Sequence, residues 1–165
     1  DPVKERAAAT ALIDQGADVI GQHVDSPTPQ IVAQERGVHG TGHHRDMSEF
    51  APEATVCSSV WVWDRFLAPE LKKIMAGNWV PAEHGALLSM EQGGTDVACC
   101  GKGIDEEEKA KIMAAREELL NGEKLIYAGP IADRDGNVKA AEGEALSDAE
   151  LWSMDWFVKG VITQQ

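Results

Sequence analysis

The chain has 165 residues, the length of one ordinary domain, and a globular chain of this size buries roughly 70% of its unfolded surface. Fifteen Lys and Arg against 28 Asp and Glu leave a formal net charge of −13, a field that repels phosphate backbones and anionic headgroups and so argues against nucleic acid or a membrane surface as partner. With 43% hydrophobic and 26% charged residues the composition excludes disordered and fibrous classes, and no apolar run reaches the roughly 20 residues of a membrane span. Cys57, Cys99 and Cys100 are too few for a disulfide framework and do not fix a compartment.

Asp1-Pro2 followed by VKERAAATALIDQG reads as an N-cap, a proline in the first turn, a helix and a terminating Gly16. A chain that opens at a helix start, without Met, signal peptide or lipid-attachment Cys nearby, reads as a fragment. ADVIGQH reads as a short strand buried on both faces, PQIVAQER as a helix opened by Pro27 and Pro29, and the stretch from Gly37 through VHGTG as a second strand. ATVCSS is a third strand. It leads into VWVWDRFLAPELKKIMAGN, helical by the spacing of Trp63, Phe66, Leu67, Leu71 and Ile74, with Pro69 a candidate kink. This alternation with short loops predicts an α/β fold built on a parallel sheet with right-handed crossovers.

Beyond Gly77 the pattern changes to two strand-like pieces, HGALLSM and TDVACC, around the Gly93-Gly94 turn. Asp105 with Glu108 opens a helix that runs to Gly122, KLIYAGPI and NVKAA flank a hairpin turn at ADRDG, and Ser147 with Glu150 opens a short helix before MDWFVKGVITQQ.

In open α/β sheets ligands bind beyond the carboxyl ends of the strands, so the loops 22–27, 43–47 and 58–63 should share one edge. That edge would gather His23, Asp25, His44, Asp46 and Trp61, a set suited to a flat polar ring that is stacked on one face and hydrogen-bonded at its rim. Asp25-Ser26-Pro27 also fits a plain turn and cap, and Trp63 fits core better than ligand contact. His39, His43, His44 and Cys57 lack the paired close spacing of a zinc site, so no metal or other cofactor is expected. Cys99 and Cys100, as adjacent residues, are poorly placed to bridge and read as small buried apolar groups. ADRDGN lacks the closing glutamate of a calcium loop and reads as a turn. Ser58, His44 and Asp46 can be drawn as a catalytic triad, but no GxSxG elbow supports it.

Three blocks, DPVKERAAATALIDQGADVIGQHVDSP, RGVHGTGHHRDMSEFAPEATVCSSVWVW and GPIADRDGNVKAAEGEALSDAELWSMDWFVKGV, together resemble the basic membrane protein family of ABC-transporter substrate-binding lipoproteins, in its carboxyl-terminal half. The resemblance implies a bilobed type I periplasmic-binding fold that captures purine nucleosides or related bases between two α/β lobes and delivers them to a membrane permease. It implies second-lobe α/β units over residues 1–60, with residues 61–165 supplying a crossover helix, strands and terminal segments that complete both lobes. It implies a periplasmic or extracytoplasmic location, lipid-anchored or secreted, and binding rather than catalysis. Where nucleoside binders of that family carry a ribose-holding acid and a lysine, this chain has His44 and Trp61, whereas Asp46 matches the second acidic position of the same loop. The replacement points to a free purine base, with Trp61 stacking and Asp25 or His44 bonding the ring edge. A nucleoside-acting hydrolase or transferase, and a regulator's ligand-sensing domain of the same fold, are the alternatives.

Overall fold

The computed structural model describes residues 1–162. Helix α1 (Pro2–Asp14) starts where the sequence places it, because the Asp1 carboxylate accepts the amides of Val3 at 3.0 Å and Lys4 at 3.5 Å and occupies donors the helix cannot satisfy itself. Strand β1 (Val19–Gly21) leads to helix α2 (Thr28–Arg36), closed by Gly37 in the left-handed region, and then to β2 (His39–His44). A 3-10 turn (Met47–Glu49) precedes β3 (Thr55–Trp61), which runs into α3 (Trp63–Met75). Next come β4 (Thr95–Cys99), α4 (Glu106–Leu120), the small strands β5 (Ile131–Ala132) and β6 (Val138–Ala140), and α5 (Asp148–Trp152). Among the described residues no helix is long and apolar enough to cross a membrane.

The main sheet has the order β1-β2-β3-β4, with the first three strands parallel and β4 antiparallel to β3. The protein is thus a mixed α/β fold with a mostly parallel sheet flanked by helices. Helices α1 and α2 lie side by side, joined by Arg6 to Glu35 at 2.6 Å and Arg36 to Asp14 at 2.6 Å. Both pairs are half-exposed, so they orient the helices more than they stabilise them.

Packing under β1, β2 and β3 is close because its residues are small. Ile20, Ala33, Ala51 and Ala54 form the central cluster, with Ile13, Ala17 and Val38 against it, and Val32 and Met47 are fully buried beside them. The strand sequence HGTGHH has glycines where the sheet meets this layer. A Cβ on Gly40 would run into the Gln30 amide, and one on Gly42 into the Ser58 hydroxyl and the Met47 side chain. Ser58 is fully buried, and its hydroxyl accepts the Met47 amide at 3.0 Å, so the 3-10 turn is fixed to β3 by a bond no solvent can replace.

Several expectations change. Strand β1 is covered on one face only, since Val19 is exposed and Ile20 buried. HGALLSM forms no strand, and KLIYAGPI contributes only Ile131 to one. The buried apolar residues concentrate before residue 60, and helices α3 and α4 bury none. The apolar stripe of α3 therefore exists, as its spacing predicts, but Leu67, Leu71 and Ile74 are exposed. Pro69 lies within α3 without ending it. Cys99 closes β4 and Cys100 follows it, both half-buried where the sequence reading makes them buried. Of the closing segment MDWFVKGVITQQ, residues 163–165 lie outside the described residues.

The ADRDG segment is the hairpin turn the sequence suggests, between antiparallel β5 and β6. Its Asp133 carboxylate accepts the amides of Asp135 at 3.0 Å and Asn137 at 2.9 Å, the Asn137 side-chain amide at 2.9 Å, and pairs with Lys139 at 3.2 Å. This shell, the Asn137 side chain foremost, holds the Asp133 carboxyl down to about 2.

Gly42→Ala should lower the stability of the chain by about 1–3 kcal/mol in a denaturant titration, because the added methyl overpacks a closed contact. Gly21→Ala is the control, since its Cβ would meet only Thr41 Oγ1 at 3.9 Å, and the two variants should differ clearly in midpoint. Because the Asp133 carboxyl is depressed from its ordinary 3.8, its contribution is complete above that value and is lost as pH falls through about 2. Hydrogen exchange at the Asp135 and Asn137 amides should therefore keep its protection at pH 3.5 and lose it near pH 2, whereas Asp133→Ala removes that protection across the range. Loss centred near 3.8 in the unaltered chain would contradict this account.

A ring cluster at the carboxyl edge of the sheet

Three parallel strands in sequential order bring their carboxyl ends to one edge, and the register decides which side chains meet there. Gly40 pairs with Thr55 and Gly42 with Ser58, with an irregularity between Gly40 and Thr41 that keeps both pairs on the core side. His43 then pairs with Ser59, one strand position pair short of Trp61, so His43 and Trp61 share the opposite face.

The loop after β1 is shaped by Gln22, a buried residue whose side-chain amide donates to the carbonyls of Val24 at 2.7 Å and Ser26 at 2.9 Å. Ser26 ties the same loop to α1 by donating to the Glu5 carboxylate, a bond that holds the Glu5 carboxyl below its usual range. Across the edge, His44 adopts a left-handed backbone with φ of 58°, which non-glycine residues adopt rarely. Its Nε2 lies 3.1 Å from the Asp25 carbonyl and 3.9 Å from the Asp25 carboxylate.

Five rings follow one another along this edge. His23 and His43 are 4.3 Å apart between centroids, His43 meets Trp61 edge-on at 5.5 Å and His44 edge-on at 5.8 Å, and Trp61 meets Trp63 edge-on at 5.1 Å. Burial first, and then the neighbouring His23 and His44, push His43 below its ordinary 6.5, against an opposing pull from Asp25. His43 is consequently neutral at pH 7, with one ring nitrogen to donate and one to accept. Trp61 is 46% exposed and Trp63 52% exposed, so both indoles offer surface to a ligand. A hollow of about 250 Å³ opens beside them, lined by Trp61, Trp63, Phe66, Leu88 and Thr95 among others. A larger one of about 690 Å³ lies among residues 87–92, 119–127 and 145–154, adjoins the first through Leu88 and Thr95, and has mostly apolar walls.

Of the residues singled out from sequence, His23, Asp25, His44 and Trp61 stand along this edge. Asp25 is 98% exposed, with its carboxylate free to meet an incoming group. Asp46 has a different position: its carboxylate accepts the Ser48 amide at 2.9 Å and caps the 3-10 turn. The drawn triad is not assembled, because the Ser58 hydroxyl is buried against the Met47 amide and Asp46 is occupied by its cap. Two participants were passed over. His43 is the centre of the cluster, and Trp63, expected in the core, lies at the surface beside Trp61. The signal for Trp63 was its spacing of two from Trp61, the period that keeps side chains on one face.

The Bmp family of PnrA-like ABC transporter substrate-binding proteins matches residues 1–130 of the chain. A purine-binding protein of Brucella abortus is 35% identical over 98% of this chain and 45% of its own length. A protein of Haloferax volcanii named as an ABC transporter glucose-binding protein is 36% identical over 98% of this chain and 38% of its own. This chain thus spans less than half the length of either relative. Among solved structures, a transcriptional activator of the comK gene from Bacillus halodurans superposes with a TM-score of 0.60 at 14% identity, over 76% of this chain and 44% of that one, a likeness of fold alone. With the family pattern covering 130 of 165 residues, the chain belongs to the PnrA-like Bmp family of ABC transporter substrate-binding proteins.

Proposed function

We propose that this chain supplies one α/β lobe of the extracytoplasmic solute-binding component of an ABC importer, and that its ring cluster holds a purine nucleobase without chemically altering it. The observation that carries the reading is the neutral His43 packed edge-on against the half-exposed Trp61, at the strand edge where α/β folds bind ligands. A purine offers a flat π-face and a rim of donors and acceptors. Trp61 supplies the stacking surface, the imidazoles of His43 and His44 supply bonds of either sense, and the Asp25 carboxylate accepts from an amino or ring N–H group. Asp46 supports this edge through the 3-10 turn it caps.

Affinity for a base over its nucleoside follows from what is absent at His44 and Trp61. An indole and an imidazole replace the acid and lysine with which family members hold ribose, so a sugar gains no charged partner here. In the same reading residues 1–60 belong to one lobe and residues 61–165 carry the crossover and closing segments. The loaded protein docks on a membrane permease, and it is secreted with or without a lipid anchor. Hexose binding is the second reading, favoured by the relative named for glucose and by a pair of indoles that also suits the apolar face of a pyranose.

Calorimetry with adenine, guanine, hypoxanthine, their nucleosides and glucose separates these readings. Each base should bind more tightly than its own nucleoside, and Trp61→Ala should weaken base binding by about 1–3 kcal/mol, the usual worth of a base stacked on an aromatic side chain. A nucleoside that outcompetes its base overturns the nucleobase assignment, glucose binding with no purine binding establishes the second reading, and conversion of any ligand during incubation overturns the non-enzymatic one.

A further inference from the structure

The two hollows beside the ring cluster share a wall. Thr95 on β4 stands opposite Trp61 on β3 in the antiparallel register, so their side chains lie on one face. Thr95 and Leu88 line both the hollow of about 250 Å³ at the indoles and the one of about 690 Å³ beyond it. Leu88 is seated there by the turn that follows it. The Gly94 amide donates to the Ser89 carbonyl at 3.0 Å, and the Val62 amide donates to the Gly94 carbonyl at 3.0 Å, which fastens the turn to the end of β3. Inside the turn the Ser89 amide donates to Gln92 Oε1 at 2.9 Å and the Gln92 amide to the Ser89 hydroxyl at 3.2 Å. A Cβ on Gly94 would lie 2.1 Å from Leu88 Cβ, so only glycine admits the leucine.

The larger hollow is assembled from stretches far apart in sequence: this loop, the end of α4, the segment after it, and α5. Met90, only 7% exposed, and the half-buried Leu119 and Leu151 form its inner wall, whereas Leu125, Tyr127 and Trp152 line it from exposed positions. Its charged members, Glu91, Lys124 and Asp148, are exposed and leave the inner wall apolar. Tyr127 holds a left-handed backbone with φ of 56°, a costly conformation for an aromatic residue and one that gathers at ligand clamps. His84 stacks on Trp152 at 5.5 Å between centroids and braces that indole.

We propose that this groove is the second compartment of the ring site and takes the apolar substituent of its ligand, so that the chain binds a purine base carrying an uncharged alkyl or aryl group. The inference rests on the nucleobase reading of the ring edge and narrows it. A flat ring needs only the smaller hollow, while the larger one falls within the roughly 300–1,000 Å³ of ordinary ligand pockets. A ring held at Trp61 reaches the groove past Leu88 and Thr95, which set no charge in the way. A ribose directed along the same path would bring its hydroxyls onto apolar walls and lose their water, whereas each methylene buried there tightens binding by about fourfold.

Calorimetry with adenine, N6-hexyladenine and N6-benzyladenine tests the proposal, with N-phenyl-1-naphthylamine as a fluorescent probe of the groove that needs no base. After the cost of ordering the substituent, both extended bases should bind about tenfold or more tightly than adenine. N6-hexyladenine should displace the dye, and adenine should leave it bound. Leu151→Trp fills the groove, and Leu125→Glu places a charge on its wall at a position 55% exposed, where folding is not at stake. Each should remove the gain and leave adenine affinity within about twofold, since adenine touches neither residue. Extended bases that bind no more tightly than adenine overturn the inference and leave the nucleobase reading standing. Dye uptake that Leu151→Trp abolishes, in a chain that binds no purine, supports the groove as an apolar site and overturns the nucleobase reading it extends. A gain that survives both variants, or a chain that takes up neither dye nor extended base, overturns the groove itself.

Discussion

The side-chain amide of Gln30 holds the front of the sheet together. It comes from α2, is fully buried, and donates to the carbonyls of Ile20 on β1 at 3.2 Å and Thr41 on β2 at 3.0 Å. Both contacts are acceptors, so the nitrogen must be the end that faces the strands. One side chain thus fixes α2, β1 and β2 relative to each other just before the strands deliver His23 and His43. Gly40 is what makes this possible, because any Cβ there would occupy the space of the amide. A glutamine in a helix and a glycine in a strand, each unremarkable alone, are two halves of one contact.

From that clamp the two faces of the sheet follow by register. The core side carries Ile20, Gly40, Gly42 and Ser58, all buried, and closes on Met47 and the small residues around Ala51 and Ala54. The other side carries His43, Ser59 and Trp61, which are rings and hydroxyls with little packing against them. Such a face costs free energy unless something flat covers it, since exposed indole area is poorly solvated. Small residues on one side therefore let the helices approach closely, while the large aromatic groups are left to the other side and to a ligand. The same division explains why His43 is neutral, as it is half-buried among rings with only Asp25 opposing the loss of its charge.

Much of the architecture was legible because local chemistry announces element ends. Asp1, Asp105 and Ser147 cap the helices the sequence assigns to them, and Ser147 with Glu150 forms a reciprocal capping box. The shared edge was legible from the alternation of helices and strands. What could not be read were features that depend on partners distant in sequence. HGALLSM has strand composition but finds no strand to pair with, whereas the Asp46 cap on the Ser48 amide is a local contact of the kind Asp commonly makes. His43 was missed as the centre of the site because the register with β3, and not its own neighbours, puts it against Trp61.

The uneven core has the same origin. A globular protein of 17.8 kDa exposes roughly 8,000 Å², whereas this chain exposes 11,206 Å². The difference is not spread evenly, for most of the buried apolar residues lie before residue 60, while α3 and α4 bury none. Helical spacing in α3 is a correct reading of which face is apolar, but periodicity states only that a face should be covered and not by what. Length and composition predicted a full core because they count apolar residues without asking whether opposing faces exist within the chain. In α1 and α2 they do, since the sheet lies beneath them, whereas Leu67, Leu71 and Ile74 meet no such layer among the described residues. Amphipathic pattern and burial are therefore separate facts in this chain, and the second depends on topology that the first does not contain.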